Sequence, residues 1–195
     1  MKDALDRIRN EHRSLSAVVH ALRDLVARIR DGGGPADFDK LRAMLYYLDA
    51  YSARLHHPQE DEFLFQPLRA RGADDAVVGE LEHEHTRMAA AMRSLEQALL
   101  RFEAGGEREF VAFATAVEGF CEFYLRHMRR EELLVLPLAE RLFSDADWTG
   151  LDGICAARRA PPEGAQEELE LQQLYRRIVG AEPSEPGSCQ PAGPA

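Results

Sequence analysis

Apolar residues recur at alternating steps of three and four along four stretches of the chain, the spacing of one buried helix face. In the first stretch they are Leu5, Ile8, Leu15, Val19, Leu22, Val26 and Ile29, with His12 standing in the single gap. In the third they are Val78, Leu81, Met88, Met92, Leu95, Leu99 and Phe102, with His85 in the gap. A shift of 73 residues carries the first set of eight positions onto the second, and the words Asn10-Glu11-His12 and His83-Glu84-His85 keep that register. The chain therefore reads as internally duplicated.

The fourth stretch gives Phe110, Phe113, Val117, Phe120, Tyr124, His127, Glu131, Leu134 and Leu138, an unbroken seam that takes in a histidine and a glutamate. The second begins in the same rhythm with Phe38, Leu41, Leu45, Leu48, Ser52 and Leu55, then resumes one residue late at His56, Glu60 and Phe63. The slip falls beside Pro58. A proline inside a helix loses a backbone hydrogen bond and clashes with the preceding turn, so a kink or one-residue bulge is predicted there, turning His56 inward. Turn residues at 31–35, 71–75 and 104–106 separate the four stretches, and links this short favour antiparallel neighbours.

The predicted fold is all-α, an up-and-down antiparallel four-helix bundle over residues 1–143. Residues 144–180 are expected to form a short helical extension on it, with Trp148, Leu151 and Ile154 on one segment and 167–179 forming another. Residues 181–195, rich in Pro, Gly and Ser, are expected to be a disordered tail.

The seams carry polar residues that an apolar core does not tolerate without a reason. A lone buried histidine is commonly just a hydrogen-bonded core residue. A buried glutamate is harder to explain, because an unpartnered carboxylate costs several kcal/mol and no seam Arg or Lys faces Glu60 or Glu131. Each of these glutamates follows a histidine by four residues, one helical turn, and the pair recurs 71 residues on: His56 with Glu60, then His127 with Glu131. With His12 and His85 this makes four imidazoles and two carboxylates aimed into one core, the donor set of a metal site. Imidazole with carboxylate suits iron, with manganese or zinc also compatible, and a seam without cysteine disfavours soft metals. Two ions bridged by Glu60 and Glu131, with an oxo or hydroxo group between them, would each keep an open position facing a pocket walled by Leu15, Phe63, Met88 and Leu134. Such a pocket admits small diatomic molecules and excludes bulky substrates.

Charge and composition narrow the partners. The net charge of -10, from 24 basic and 34 acidic residues, repels nucleic acid and acidic membranes. No apolar run is long enough to span a membrane or serve as a secretion signal, so the expected location is the cytoplasm. The 3 cysteines are widely spaced, which suggests neither a disulfide framework nor a thiolate zinc site.

The words Glu11-His12, His56-His-Pro-Gln-Glu60-Asp-Glu, Glu84-His85 and His127-Met-Arg-Arg-Glu131-Glu resemble the hemerythrin HHE cation-binding family over roughly residues 3–143. The resemblance implies a non-haem di-iron centre with bridging carboxylates and His12, His56, Glu60, His85, His127 and Glu131 as ligands. Oxygen-carrying hemerythrins add a fifth histidine on the third helix. Here the positions one turn either side of His85 are Leu81 and Ala89, so the resemblance points to sensing or reactivity over oxygen carriage. The leading function is therefore binding or sensing of oxygen or nitric oxide. The alternatives are a di-iron enzyme acting on peroxide, nitric oxide or ferrous iron, and an interaction module stabilised by metal. No further acid, base or nucleophile in the seams names a reaction.

The remaining polar residues near the seams have their own expectations. His20 lies about 12 Å along the axis from His12, too far to share an ion. His83 faces away from His85 and is expected in solvent. His57 exchanges places with His56 if the bulge falls differently. Glu11 and Glu84 either accept hydrogen bonds from the ligand histidines or lie on an exposed helix face.

Overall fold

The computed structural model describes residues 3–73, 75–157 and 162–180. All regular structure among them is helical, in six helical stretches. They are α1, Asp3–Arg30; α2, residues 38–70; α3, Asp75–Gly105; α4, residues 107–142; α5, Asp145–Ala157; and α6, Pro162–Val179. The chain leaves α1 through Gly32 at φ 73°, a left-handed conformation that suits glycine. It enters α2 with the Asp37 carboxylate capping the amide of Lys40. Gly106, at φ 66°, makes the turn from α3 to α4. Stretches α1 to α4 pack in a closed ring, each against two others. No helix of the described residues is long and apolar enough to cross a membrane.

The interior has three layers along the bundle. One apolar cluster runs from Leu15 to Val26 on α1 and takes in Leu41 to Ala50, Met88 to Phe102 and Phe113 to Met128. A smaller one holds Leu5, Ile8, Phe65, Leu68, Leu81 and Leu136 at the other end. Between them lie Glu11, His12, His56, His57, Glu60, Glu84, His85, His127 and Glu131, all buried. The later helices each serve one end. Trp148 and Leu151 of α5 join the smaller cluster, and Leu171, Leu174, Tyr175 and Ile178 of α6 join the larger. The sequence expectation for residues 181–195 lies outside the described residues, as does the side chain of Ile154.

Stretches α2 and α4 are not regular α-helices. α2 widens into π-type turns at Ser52–His56 and Asp61–Phe65, and α4 does so at Glu131–Val135. Each widened turn is followed at its second residue by a proline, namely Pro58, Pro67 and Pro137. A proline ring collides with the carbonyl four residues back and offers no amide of its own. Widening the preceding turn relieves both faults without ending the helix.

The irregularity expected beside Pro58 is therefore present, and His56 is buried at 1% exposure. The unbroken seam expected in the fourth helix is not. The turn at 131–135 rotates the remainder of the helix about its axis, so Leu134 is 46% exposed and Leu138 only partly buried, while Val135, Leu136 and Ala139 fill the core. Likewise Leu64 and Phe65, not Phe63, fill the core after Glu60.

The first π-turn has a precise origin in the duplication. Phe38, Leu41, Leu45, Leu48 and Ser52 stand 72 residues before Phe110, Phe113, Val117, Phe120 and Tyr124, whereas His56 and Glu60 stand 71 before His127 and Glu131. α2 carries one extra residue between Ser52 and His56, and the widened turn absorbs it. Deleting the exposed Ala53 is therefore expected to regularise the helix while keeping both flanks in register, with little loss of thermal stability. Deleting the equally exposed Tyr46 rotates Tyr47, Leu48 and Ser52 by about 100° about the axis and should lower the melting temperature sharply. Melting curves followed by circular dichroism on the two deletions check the contrast.

Candidate metal centre

Each seam histidine is held by one carboxylate on its outer nitrogen. His56 Nδ1 lies 2.9 Å from Glu11 Oε2, and His127 Nδ1 lies 2.9 Å from Glu84 Oε2. His85 Nδ1 lies 2.8 Å from Asp61 Oδ1, and His12 Nδ1 lies 3.1 Å from Glu132 Oε1. An Nδ1–H donated to a carboxylate leaves Nε2 as the inward lone pair and fixes the ring. Glu11 and Glu84 are thus buried acceptors, 4% exposed each, not exposed helix-face residues. They are themselves held by Arg7 at 2.8 Å and Arg130 at 2.9 Å.

Asp61 and Glu132 were not singled out by sequence reasoning. Their signal was present, since each directly follows a seam glutamate at the same 71-residue offset. The pattern of support is crossed. Glu11 and Glu84 act within their own half of the duplication, while Asp61 and Glu132 reach into the other half.

The inner atoms divide into two sets. His12 Nε2 is 3.5 Å from Glu60 Oε1 and 3.3 Å from Glu131 Oε2, and His56 Nε2 is 3.4 Å from Glu60 Oε1. His85 Nε2 is 3.6 Å from Glu60 Oε2 and 3.4 Å from Glu131 Oε1, and His127 Nε2 is 3.1 Å from Glu131 Oε1. Each glutamate offers one oxygen to each imidazole pair. Two donors about 2.1 Å from one ion, at cis or tetrahedral angles, stand about 3.0–3.4 Å apart, which is the spacing seen. Both oxygens of Glu60 and Glu131, and Nε2 of His12 and His56, are buried without a hydrogen-bond partner, a costly arrangement that a cation resolves.

All six residues expected from the sequence are thus brought together, and they form two clusters able to hold a metal: His12, His56, Glu60 and Glu131, and His85, His127 with the same glutamates. A further grouping adds His57 to His85 and His127. His57 does not replace His56, since both are buried side by side. His20 and His83 are exposed, and His20 accepts from Arg23.

Electrostatics follow from this packing. Burial by itself lowers His12, His85 and His127, but the glutamates prevail: hydrogen bonds to Glu131, Glu132 and Glu60 hold His12 well above its usual value, and Asp61 and Glu131 push His85 up to about 10. The charge of Glu131 likewise raises His127. Burial opposes ionisation of Glu131, yet the imidazoles of His127, His12 and His85 keep it well below the carboxylate range. His57 is the exception, driven well below its usual value by burial and then by its imidazole neighbours. Protons and cations compete for the same nitrogens, so cation uptake releases protons.

Two small cavities, each of about 20 Å³, flank the clusters. One is lined by His56 and Glu60 with Ile8, Phe63 and Leu64. The other is lined by His57 with Ser52, Met88, Met92 and Tyr124. Phe63 and Met88 take the wall positions expected of them on separate cavities, whereas Leu134 is on the surface and Leu15 is packed in the larger cluster. Because the outer carboxylates fix ring orientation, Glu84→Ala is expected to weaken metal affinity about 10–100-fold, as read by competition with a chelator.

This geometry defines a class of protein, a helical scaffold whose core carries His/Glu clusters able to hold metal ions. The chain belongs to the hemerythrin HHE cation binding domain family, whose profile matches residues 3–139. No curated protein and no solved structure matches the chain.

Proposed function

We propose that residues 1–143 form an up-and-down antiparallel four-helix bundle that holds two iron ions with His12, His56, Glu60, His85, His127 and Glu131. Residues 144–180 act as a helical extension packed on it. On this reading the protein binds or senses a small diatomic ligand, oxygen or nitric oxide. The observation that carries the proposal is the division of Glu60 and Glu131, each with one oxygen toward each imidazole pair. A carboxylate shared in this way holds two ions side by side.

The donor set, all imidazole nitrogen and carboxylate oxygen, suits iron in preference to thiophilic metals. Bound iron supplies an open coordination position for a small ligand. The chain supplies the rest. Carboxylates on Nδ1 keep four imidazoles in the tautomer that presents Nε2, and Ile8, Phe63 and Leu64 line the cavity beside His56 with apolar surface that admits a diatomic molecule and excludes organic substrates.

Metal analysis of protein purified without added metal, read with its visible spectrum, tests the proposal. Two irons per chain and a spectrum that changes with nitric oxide are expected. Fewer than about one iron per chain after anaerobic reconstitution, or zinc in its place, overturns it. Steady turnover of peroxide or ferrous iron that disappears in Glu60→Ala moves the reading from binding to catalysis.

A further inference from the structure

The duplication makes the two halves of the site nearly equivalent, and His57 is where the equivalence fails. The ring pairs match: His12 and His56 meet edge-on at 4.9 Å and 77°, and His85 and His127 at 4.8 Å and 71°. His57 has no imidazole counterpart, because the residue 71 positions on is Met128. Its ring lies flat on that of His85, with centroids 4.0 Å apart and an angle of 10°, and edge-on to His127 at 5.8 Å. One ring nitrogen from each of His57, His85 and His127 lies within 4.8 Å of the others.

His57 is only 7% exposed, and its Nε2 has no hydrogen-bond partner. A core histidine retained for packing satisfies its polar atoms, since an unpaired buried one costs about 1–3 kcal/mol. A nitrogen left over at a cluster of imidazoles is accounted for by a cation.

We propose that His57 is a fifth imidazole ligand, joining His85 and His127 on one of the two ions and making the pair chemically unequal. This rests on the di-iron reading above. One ion then has five protein donors, His57, His85, His127, Glu60 and Glu131. The other has four, His12, His56, Glu60 and Glu131. The ion with fewer donors is the one that takes the external ligand, and it lies on the side of the cavity lined by His56, Glu60 and Phe63. The fifth histidine that the third helix lacks is thus supplied by the second.

The test uses the full chain loaded with iron-57, with azide as the small-ligand probe. Mössbauer spectra of the wild type are expected to show two quadrupole doublets of equal area, and azide to bind once per iron pair. In His57→Leu the azide ratio should double as the doublets converge, or one iron should be lost while helical dichroism is kept. Met128→Leu should change neither readout. Two azides per pair in the wild type overturn the proposal, and so do two irons with unchanged doublets and azide ratio in His57→Leu. The wild-type ratio decides alone if the variant does not fold. A wild type without an iron pair removes the di-iron reading itself, an outcome distinct from a pair that is symmetric.

Discussion

Glu131→Ala is expected to abolish the iron pair, reducing iron from two per chain to less than one, because no other side chain touches as much of the site. Its carboxylate is fully buried and stands 3.3 Å from His12, 3.4 Å from His85 and 3.1 Å from His127. Both clusters lose a donor at once, and the shared oxygen pair is gone. The variant should also be less stable without metal. Breaking a buried ion pair from one side typically costs about 3–5 kcal/mol, and here one carboxylate balances three imidazoles. Glu132→Ala is the control on the neighbouring residue. Glu132 touches only the outer nitrogen of His12 and its side chain is 43% exposed, so the loss should be about 10–100-fold in affinity with the metal-free fold intact. Iron content by elemental analysis and melting curves of metal-free protein read both effects.

Metal-free protein is expected to lose stability as pH rises from about 6.5 toward 10, while iron-loaded protein changes much less over the same range. The sign depends on which state holds the proton more tightly. His85 is raised from 6.5 to about 10, so the stability it contributes is fully present below 6.5 and is lost as pH rises through about 10. His12 and His127 are raised too and act in the same direction. Glu131 is depressed, so its contribution is present above 4.5 and is lost only as the pH falls through its folded value, outside this window. In loaded protein a metal ion replaces the proton on these nitrogens and the slope flattens. Melting temperatures of both forms between pH 6.5 and 10 measure the difference. Parallel slopes would show that metal and protons do not share these atoms.

How far the sequence disclosed this arrangement differs from helix to helix. In α1 and α3 the apolar period runs uninterrupted and carries His12 and His85 with it, so the 73-residue shift located both. In α2 and α4 three prolines change the local helix, and a fixed period fails after each. Pro58 was recognisable as a break because the polar seam visibly slipped there. Pro137 was not, because Leu134 and Leu138 are apolar and continued the rhythm in sequence while the backbone turned them away from the core. The outer carboxylates were legible only in part. Glu11 and Glu84 precede the seam histidines, whereas Asp61 and Glu132 follow the glutamates on charged helix faces, where acidic residues ordinarily need no explanation. The place of His57 was beyond any periodicity, because it depends on how one inserted residue is absorbed upstream of it.

The crossed carboxylates have a consequence for ancestry. A hairpin of the first two helices supplies His12 and His56 but leaves His12 without its outer acceptor, and it offers Asp61 to a histidine that it does not possess. Two copies facing each other across a two-fold axis would complete one another. The single chain has the form of such a dimer joined end to end, with the metal site on the old axis. Fusion freed the halves to diverge, and a histidine opposite a methionine is what that freedom produced.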